Sequence, residues 1–406
     1  MLEIIVKKTC LCLAVVATIP QLAVAQNSVT LYGMLDSGLT YVNNTGKGAV
    51  VYADTCGPLG CNRWGLTGKE NLGGGTSAIF TLENGFNLQN GKLGQGGTMF
   101  GRQAFVGLTN DHYGTLTLGR QYDSLSDTVG MFPSSNNFAL GYGSHFGDLD
   151  NLNQSIRINN TVKYVSPSWS GLQLDSMYSF GGQPGSFSTD SSWAVAASYT
   201  NGPFAMAAGY LDIRNPATRS DGTGGVYASN GNYTGSLGQY VGLQDADSMK
   251  VFSAGGSYAI GKASIGLVYS HTSLKNSQYF VVNNFAGAGT GSDFTLDSYE
   301  LTTTYQVSPA FSVGAAYIYN VGKADYQGLK PTFQQVNLGA SYALSKRTSF
   351  YGAAIYQKAG GDGIAPVIGA DGTVVGRTAI AEIPGTGIDS STNKQVLVTI
   401  GVSHKF

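Results

Sequence analysis

SYAIGKASIGLVYS, residues 257–270, carries an apolar or aromatic side chain at every second position over most of its length. Tyr258 precedes a Gly-Lys break, and Ile265, Leu267 and Tyr269 follow it, usually with Ser or Gly between them. Alternation with period 2 is typical of a β-strand, and a short Gly-containing break between two such runs is typical of a hairpin. Each strand therefore has one apolar face and one face of hydroxyls and bare backbone. The rest of the chain decides which face meets water.

The composition favours a large β structure. The chain has 406 residues, of which 58 are Gly, 24 are Tyr and 18 are Phe, and only 12% are charged. Soluble globular domains carry about 25% charged residues. Apolar residues are spread evenly along the chain, which argues against disorder.

The first 25 residues differ from the rest. Lys7 and Lys8 precede an apolar run over 11–19, and Ala23 and Ala25 supply small residues at the −3 and −1 positions of the expected cleavage site. This pattern predicts a secretory signal peptide, residues 1–25, cleaved before Gln26. A transmembrane anchor is the alternative, but it needs about 20 apolar residues. The full chain has 23 Lys and Arg against 24 Asp and Glu, and removing the segment leaves it slightly acidic, so we expect no nucleic-acid partner.

Two of the four cysteines, Cys10 and Cys12, lie in that segment. Cys56 and Cys61 remain, in the sequence CGPLGC, and an exported chain meets an oxidising compartment. We expect a disulfide across a small loop, with two free thiols as the alternative. A zinc site would need two more ligands, and none is visible in the segment.

The pattern of the opening stretch recurs along the mature chain. KYVSPSWSGLQL (163–174), SYTNGPFAMAAGY (198–210), TYQVSPAFSVGAAYIY (304–319) and SYALSKRTSFYGAAIY (341–356) each contain a strand ending in Tyr, a few turn residues and a second strand. Seven short turns are predicted near 72–75, 112–114, 167–170, 201–203, 260–262, 308–310 and 344–347. Eight long polar connections alternate with them, so fifteen connections predict sixteen antiparallel strands.

The residues between the apolar ones identify the surroundings of this sheet. A soluble sandwich would place many Lys, Glu and Arg on its outer face, but Ser, Thr, Gly and Gln predominate here. In the strand 156–165, Ile156, Ile158, Val162 and Tyr164 are expected on one face, opposite Arg157, Asn159, Thr161 and Lys163. In outer-membrane barrels, apolar residues face lipid and polar residues face a lumen. The prediction is an all-β, sixteen-stranded antiparallel transmembrane barrel with a water-filled interior.

A tyrosine also recurs just before the short turns, at positions 164, 199, 258, 305 and 342. This fixed offset favours an aromatic girdle at the short-turn end of the barrel. Cross-strand packing of the tyrosines is the alternative.

The chain resembles the general porins of Gram-negative outer membranes, in their β-proteobacterial branch. The segments that carry the resemblance are SVTLYGMLDSGLTYV (28–42), RWGLTGKENLGGGTSAIFTLENGF (63–86), FGRQAFVGLTNDHYGTLTLGRQYD (100–123), RINNTVKYVSPSWSGL (157–172) and VSHKF (402–406). The resemblance implies short periplasmic turns, long extracellular loops, and one barrel domain over 26–406. It also implies a homotrimer that lets small hydrophilic solutes diffuse passively. Phe406 matches the aromatic C-terminus that the barrel-assembly machinery reads in this family, and the implied surroundings are outer-membrane lipid and lipopolysaccharide.

The resemblance further implies that the third long connection, about 123–155, folds inward and narrows the barrel. Together with the strand registers, it places a basic wall opposite that loop. The expected constriction residues are Arg63, Arg102, Arg157, Arg120, Lys69, Glu83, Asp123 and Asp127. Arg102 shares its parity with Ala104, Val106 and Leu108, which we expect to face the lumen beneath the inserted loop.

Two departures from the family shape the expected selectivity. The acidic motif that family members carry in this loop is absent, and the stretch 129–146 is taken as uncharged. Met34 stands where the family has a basic pore residue in its first strand. Arginines facing few carboxylates predict a preference for anions. The alternative is that these arginines only hold the loop by hydrogen bonds.

Other functions are less well supported by the residues. The four histidines, His112, His145, His271 and His404, form no catalytic spacing, so we expect no enzyme and no cofactor. Asp148 and Asp150 are too few ligands for a calcium site, and no metal is expected. A substrate-specific channel for small anionic metabolites remains the alternative to a general porin.

Overall fold

The computed structural model describes residues 28–54, 56–216, 240 and 242–406. The expected signal peptide, residues 1–25, and most of the connection 214–247 lie outside the described residues. Within the described part, a single large antiparallel sheet closes on itself, because the first strand pairs with both its sequence neighbour and the last strand.

The strands in chain order are β1 Ser28–Val42, β2 Val50–Ala53, β3 Cys56–Gly57, β4 Gly60–Cys61, β5 Arg63–Gly73, β6 Thr76–Gly85, β7 Gln103–Asn110, β8 Gly114–Gln121, β9 Ile158–Val165, β10 Leu172–Ser179, β11 Ser192–Asn201, β12 Phe204–Arg214, β13 Ser248–Ile260, β14 Ala263–Ser277, β15 Ser292–Ser308, β16 Phe311–Ala324, β17 Pro331–Ala343, β18 Thr348–Gly361, β19 Ala365–Ile368, β20 Val374–Thr378 and β21 Lys394–Lys405. The short strands β2, β3, β4, β19 and β20 belong to long connections. The remaining sixteen of the described strands form the barrel, as predicted.

The helices are short and lie in the connections between the barrel strands. They are α1 Ser124–Thr128 and α2 Tyr279–Val282, with 3-10 turns at Gln95–Gly97, Val129–Met131, Leu140–Gly143, Phe146–Asp148 and Tyr326–Gly328 and a π turn at Ser135–Ala139. In the part of the chain that the structure describes, no helix has the length and apolar character needed to cross a bilayer.

The predicted order of connections is confirmed. Each of the seven predicted short turns joins two neighbouring barrel strands, for example 261–262 between β13 and β14, where Ile260 pairs with Ala263. Three of the long connections matter below. Loop 1 covers 43–62, loop 2 covers 86–102 and loop 3 covers 122–157.

The opening stretch has the predicted orientation. Ile265 and Leu267 of β14 are 45% and 64% exposed on the outer face, whereas Ser270 is buried inside at 1%. All five girdle tyrosines lie near the short-turn end in register with outward apolar residues, as Tyr258 does with Ile265. A second set of aromatics lies on the outer face toward the long loops, including Tyr269, Tyr299 and Trp193.

Strand 156–165 departs from strict alternation. Asn160 has φ of 52°, and the register between β8 and β9 jumps from Gly119–Thr161 to Gln121–Ile158. This bulge reverses the alternation of the faces. The expected outward position of Ile156 and Ile158 is therefore wrong, because both are 1% exposed and belong to a buried cluster with residues of loop 3.

The interior is divided into a packed part and an open part. Loop 3 contributes Leu125, Val129, Phe132, Leu149 and Leu152 to an apolar core. These side chains pack with inward residues of the strands from β10 onward, among them Met177, Ala194, Leu211, Val251 and Val268. The polar space lies on the other side, along β1 and β5 to β9. Loop 3 therefore removes one side of the lumen from the water-filled path.

Candidate pore constriction

Loop 3 is fastened at its start by a buried cap. Asp123 is fully buried and precedes α1, and its carboxylate accepts hydrogen bonds from the backbone N–H groups of Leu125 (2.8 Å) and Ser126 (3.0 Å) and from the Asn151 side chain (2.6 Å). Asp123 thus joins the two ends of the loop. The sequence predicted Asp123 as a pore-lining acid, and the structure instead places it in this internal cap.

The middle of loop 3 is seated in a pit on the opposite wall. Phe138 packs over two glycines that face each other across β16 and β17, Gly314 and Gly339. A Cβ atom at Gly314 would lie 2.3 Å from the Phe138 ring, and one at Gly339 would lie 2.6 Å from it. Only glycine leaves room for the ring at these positions. The amide of Gln335 also donates to the Tyr142 carbonyl at 3.0 Å.

A buried charged cluster forms a further attachment. His145 Nδ1 lies 2.5 Å from Asp150 Oδ2, and its Nε2 lies 3.1 Å from Glu300 Oε2 of β15. Burial alone would lower the pKa of His145, but the two carboxylates outweigh it and raise the pKa to about 10. The stretch 129–146 was predicted to be uncharged, and that is wrong at His145, which is cationic at neutral pH. Its charge is enclosed by Asp150 and Glu300 and does not face the lumen.

A group of arginines lies beside the two ends of loop 3, next to the open part of the lumen. Arg102 Nε donates to Glu83 Oε1 at 2.7 Å, and its Nη2 donates to the Tyr122 hydroxyl at 2.9 Å. Arg157 Nη2 donates to the same hydroxyl at 2.8 Å, and its guanidinium lies 4.8 Å from the centre of the Tyr122 ring. Tyr122 thus holds two guanidiniums side by side.

Arg63 completes this group from the start of β5. Its Nε lies 3.7 Å from Glu83 Oε2, and the same oxygen accepts a hydrogen bond from the Tyr32 hydroxyl at 2.9 Å. The Arg63 side chain is 28% exposed, compared with 10% for Arg102. Two guanidiniums therefore contact one carboxylate, and a third, that of Arg157, joins them through Tyr122, which leaves the group with a net positive charge. We name Arg63, Arg102, Arg157 and Glu83 the arginine cluster.

Arg102 reaches the lumen for a different reason than the one predicted. It lies before the first residue of β7, and its N–H donates to the Glu83 carbonyl. Val106 and Leu108, which share its parity, are 57% and 50% exposed in register with Leu118 and Leu116 of β8. Those two residues belong to the outer apolar face, so the expectation that they lie beneath the inserted loop is wrong. The alternation of β7 does not extend to Arg102.

The structure separates the other predicted residues from the cluster. Arg120 donates to the backbone carbonyls of Gly101 (2.9 Å) and Arg157 (3.3 Å) and to the Asn159 side chain (2.6 Å). It therefore links the segments that carry Arg102 and Arg157 and is not among the residues that line the two cavities. Lys69 lies six residues after Arg63 along β5, near the short turn. Asp127 forms an ion pair with Lys163, whose ammonium group also lies 3.2 Å from Asp175.

Two polar cavities meet at the arginine cluster. A cavity of about 770 Å³ lies toward the long loops, between loops 1, 2 and 3. A cavity of about 430 Å³ lies toward the short turns, next to Tyr32, Met34 and Lys405. Arg63, Arg102 and Gln154 line both cavities and therefore lie at the boundary between them.

The cavity linings are richer in cations than in carboxylates. The cationic side chains that line one or both cavities are Arg63, Lys92, Arg102, Arg157 and Lys405, and the carboxylate side chains are Asp54 and Glu83. Apart from Arg157 at its end, the lining residues of loop 3 are neutral: Tyr122, Ser135, Asn136, Asn137, Leu140, Gly141, Tyr142, Asn153, Gln154 and Ser155.

The two remaining predicted features are the disulfide and the C-terminal residue. Cys56 and Cys61 are joined by a disulfide that closes the β3–β4 hairpin of loop 1. Phe406 exchanges two backbone hydrogen bonds with Gly33, both of 3.1 Å, which fastens the C-terminus to β1.

Sequence reasoning missed several residues that organise this site. Tyr122 lies at the junction of β8 and loop 3, and its position next to Asp123 was the only available signal. His145 and Glu300 are 155 residues apart, so nothing local in the sequence joins them. The pairing of Lys163 with Asp127 and Asp175 depends in the same way on contacts that only the closed barrel creates.

Comparison with known proteins agrees with this architecture. The family described as Gram-negative porin matches residues 12–362. An outer membrane porin protein of Bordetella pertussis is 30% identical, over 87% of this chain and 94% of that protein. Among solved structures, an anion-selective porin from Comamonas acidovorans has a TM-score of 0.68 at 22% identity and covers 94% of this chain and 100% of its own.

A trimer form of the outer membrane protein OmpT of Vibrio cholerae is also similar, with a TM-score of 0.61 at 16% identity, and it covers 94% of this chain and 99% of its own. These structures support the barrel fold, and the family match supports the function. The chain belongs to the Gram-negative porin family: it is an outer-membrane channel protein, not an enzyme.

Proposed function

We propose that the channel lets small hydrophilic solutes and ions diffuse passively and that it prefers anions, through the arginine cluster. The observation that carries the proposal is the boundary between the two cavities, where Arg63 and Arg102 line both and Glu83 is the single carboxylate of the cluster. A permeating ion that passes from one cavity to the other meets a local excess of positive charge.

The chemistry of this group favours anions. Guanidinium groups remain protonated at any physiological pH and present forked donors to carboxylate or phosphate. Rings of Arg and Lys favour anions in a pore. Loop 3 offers no carboxylate among its lining residues, so it does not offset the field from across the lumen. The hydrogen bonds of Arg102 and Arg157 to Tyr122 orient their charges and do not remove them.

A salt gradient across a planar bilayer tests the preference. We expect the reversal potential of the wild-type channel to be anion-selective. Arg63→Ala should lower the anion-to-cation permeability ratio about tenfold, since a unit charge about 6 Å from an ion contributes about 0.7 kcal/mol in water, with opposite sign for an anion and a cation. Lys69→Ala is the matched control, because Lys69 lies on the same strand away from the cavity boundary, and it should change the ratio much less. A cation-selective wild-type channel contradicts the proposal.

A substrate-specific channel for small anionic metabolites is the second candidate. The cavity of about 770 Å³ is large enough for a small metabolite, and three guanidiniums line it together with Asn and Ser side chains. If the channel is specific, a dicarboxylate or a sugar phosphate should block the ion current in a saturable way. If it is a general porin, these solutes should cause no saturable block, and the current should stay proportional to voltage.

We further propose that the channel is a homotrimer in lipid and lipopolysaccharide, inserted by the barrel-assembly machinery through Phe406. The similar trimer form of Vibrio cholerae OmpT supports the trimer. Cross-linking of the purified chain in mild detergent tests it, and a species of one chain's mass contradicts it.

A further inference from the structure

The disulfide-closed hairpin of loop 1, residues 56–61, lies inside the barrel. The N–H of Gly57 donates to Asp36 Oδ1 of β1 at 2.9 Å, and the Tyr351 hydroxyl of β18 donates to the same oxygen at 2.8 Å. Asp36 is fully buried and Tyr351 is 5% exposed, and both point inward. The hairpin is therefore seated on the inner surface of β1 and β18 rather than above the barrel.

The fit between hairpin and wall is close. A Cβ atom at Gly57 would lie 1.9 Å from the Tyr351 hydroxyl oxygen, and one at Gly60 would lie 2.2 Å from the Met34 sulfur. Glycine at both positions lets the hairpin backbone rest directly on the wall. Met34, which stands where the family carries a basic residue, lies beneath Gly60 and is 3% exposed.

The hairpin depends on its disulfide for its shape. Its ladder consists of two residue pairs, Cys56–Cys61 and Gly57–Gly60. Isolated two-stranded hairpins are at best marginally stable in water. A disulfide across a short loop removes most alternative conformations of the closed segment. Without the bond, the turn has only its two-pair ladder and the Gly57 hydrogen bond to Asp36 to hold it against the wall.

The hairpin also borders the path and positions a residue of the arginine cluster. Cys56, Pro58, Leu59, Gly60 and Cys61 line the larger cavity together with Arg63, Arg102 and Arg157. The chain passes from Cys61 through Asn62 to Arg63, and Asn62 exchanges hydrogen bonds of 2.7 and 2.8 Å with the backbone of Asp36. The start of β5 is therefore tied to β1 immediately next to the disulfide.

We propose that this disulfide-closed hairpin is a second specificity-determining element of the channel: it narrows the pore from the wall of β1 and β18, beside the tip of loop 3, and holds Arg63 at the boundary between the cavities. Opening the disulfide releases the hairpin from the wall, which widens the path and lets Arg63 move away from Glu83. The inference rests on the proposed conduction path through the two cavities.

Reduction of the purified, membrane-inserted channel tests the proposal. Both cysteines line the larger cavity and are partly exposed, so we expect a small dithiol to reach the disulfide from the lumen. Dithiothreitol transfers two electrons and two protons to the disulfide by thiol exchange, leaving Cys56 and Cys61 as thiols and the reagent as a cyclic disulfide. We expect single-channel conductance to rise and the anion-to-cation permeability ratio to fall, while the barrel remains inserted.

Two variants make the outcome specific. The Cys56→Ser, Cys61→Ser double variant should have the raised conductance before any reagent is added and should not respond to dithiothreitol. Gly57→Val keeps both cysteines but cannot seat against Tyr351, so it should also raise conductance with the disulfide intact. Retention of the heat-modifiable electrophoretic mobility of a folded barrel identifies the variants that are correctly folded.

An unchanged or reduced conductance in the folded double variant overturns the proposal, and so does an equal response of the double variant and the wild type to the reagent. These outcomes differ from failure of the proposed anion preference. A cation-selective wild-type channel refutes that preference by its reversal potential and leaves the expected rise in conductance in place.

Discussion

At the residue scale, Glu83 sets the net charge of the arginine cluster, because it is the carboxylate among three guanidiniums. Its two carboxylate oxygens contact Arg102 and Arg63 from one side and the Tyr32 hydroxyl from another. Glu83 is 5% exposed, so its carboxylate interacts with these neighbours more than with water. Replacing it tests whether the cluster acts through its net charge or only through its hydrogen bonds.

We expect Glu83→Gln to raise the anion-to-cation permeability ratio about tenfold, because it removes one negative charge at a distance of about 6 Å from a permeating ion, with opposite effects on anions and cations. Glutamine keeps the size of the side chain and can still accept a hydrogen bond from Arg102. The effect should increase as the salt concentration falls, since a longer Debye length leaves the remaining guanidiniums less screened. Reversal potentials at two ionic strengths measure both expectations.

Asp127→Asn is the control for that experiment. Asp127 was also predicted as a pore acid, but it pairs with Lys163 and does not line either cavity. Its removal should change the ratio less than the removal of Glu83. An equal effect of the two variants, or a lower ratio in Glu83→Gln, contradicts a role of net charge at the cavity boundary.

Residues at the site could be predicted from sequence where a regular strand carries them. Arg63 and Glu83 follow the alternation of β5 and β6, and their inward position was predicted correctly. Arg102 and Arg157 precede their strands, so parity carried no information about them. Asp123 was misplaced because a helix cap and a pore acid have the same local sequence signal, an Asp at the start of a loop.

At the scale of elements, loop 3 is held by contacts of different kinds at its two ends and in its middle. The cluster of His145, Asp150 and Glu300 is the attachment that responds to pH. Ser270 of β14 donates to Asp150 Oδ2 at 2.5 Å, and the N–H of Ser134 donates to Glu300 Oε1 at 2.7 Å. Both carboxylates therefore have neutral donors in addition to His145.

The sign of the pH dependence follows from the pKa of His145. Its pKa is raised from 6.5 to about 10, so its contribution to the attachment is fully present below pH 6.5 and is lost as the pH rises toward 10. Burial, and then the charge of Asp150, raise the pKa of the nearby Asp148 to about 7. Ionisation of Asp148 above that pH adds a second negative charge beside Asp150. Both groups weaken the attachment of loop 3 as the pH rises.

We therefore expect the open-channel current noise of the wild type to increase between pH 6.5 and pH 9. His145→Gln should be noisy at both pH values and should lose most of this dependence, because removing one partner of a buried ion cluster costs about 3–5 kcal/mol. His112→Gln is the matched control, since His112 is exposed in a short turn. A His145→Gln channel that keeps the wild-type pH dependence rules out this cluster as its source.

Whole strands were predictable to the extent that they alternate regularly. The pairing of β13 with β14 runs without a register shift from Ser248 to Ile260, and its faces were predicted correctly. The bulge at Asn160 could not be predicted, because an extra residue in one strand leaves no mark on composition and only the partner strand reveals it. That single residue accounts for the wrong position of Ile156 and Ile158.

On the scale of the whole molecule, a wall one strand thick separates an apolar outer face from the interior of the barrel. The outer face carries an apolar band between the girdle tyrosines, such as Tyr258 and Tyr305, and the second aromatic set that includes Tyr269 and Tyr299. The barrel and its outward face were predictable because alternation repeats over sixteen strands. The packed part of the interior was not, since it depends on where loop 3 folds, and the loop sequence does not specify the strands it will contact.

Leu267 tests the lipid-facing assignment most directly. It is 64% exposed on the outer face of β14, four residues from the short turn and about 13 Å along the strand from Ala263. We expect Leu267→Arg to destabilise the folded barrel in lipid by about 2–4 kcal/mol, the cost of a basic side chain near the bilayer midplane. Urea titration of the barrel refolded into phospholipid vesicles, followed by its heat-modifiable mobility, measures this loss. Ser264→Arg provides the comparison, because Ser264 faces the lumen on the same strand and its guanidinium remains in water. Equal stabilities of the two variants would mean that lipid does not contact this face.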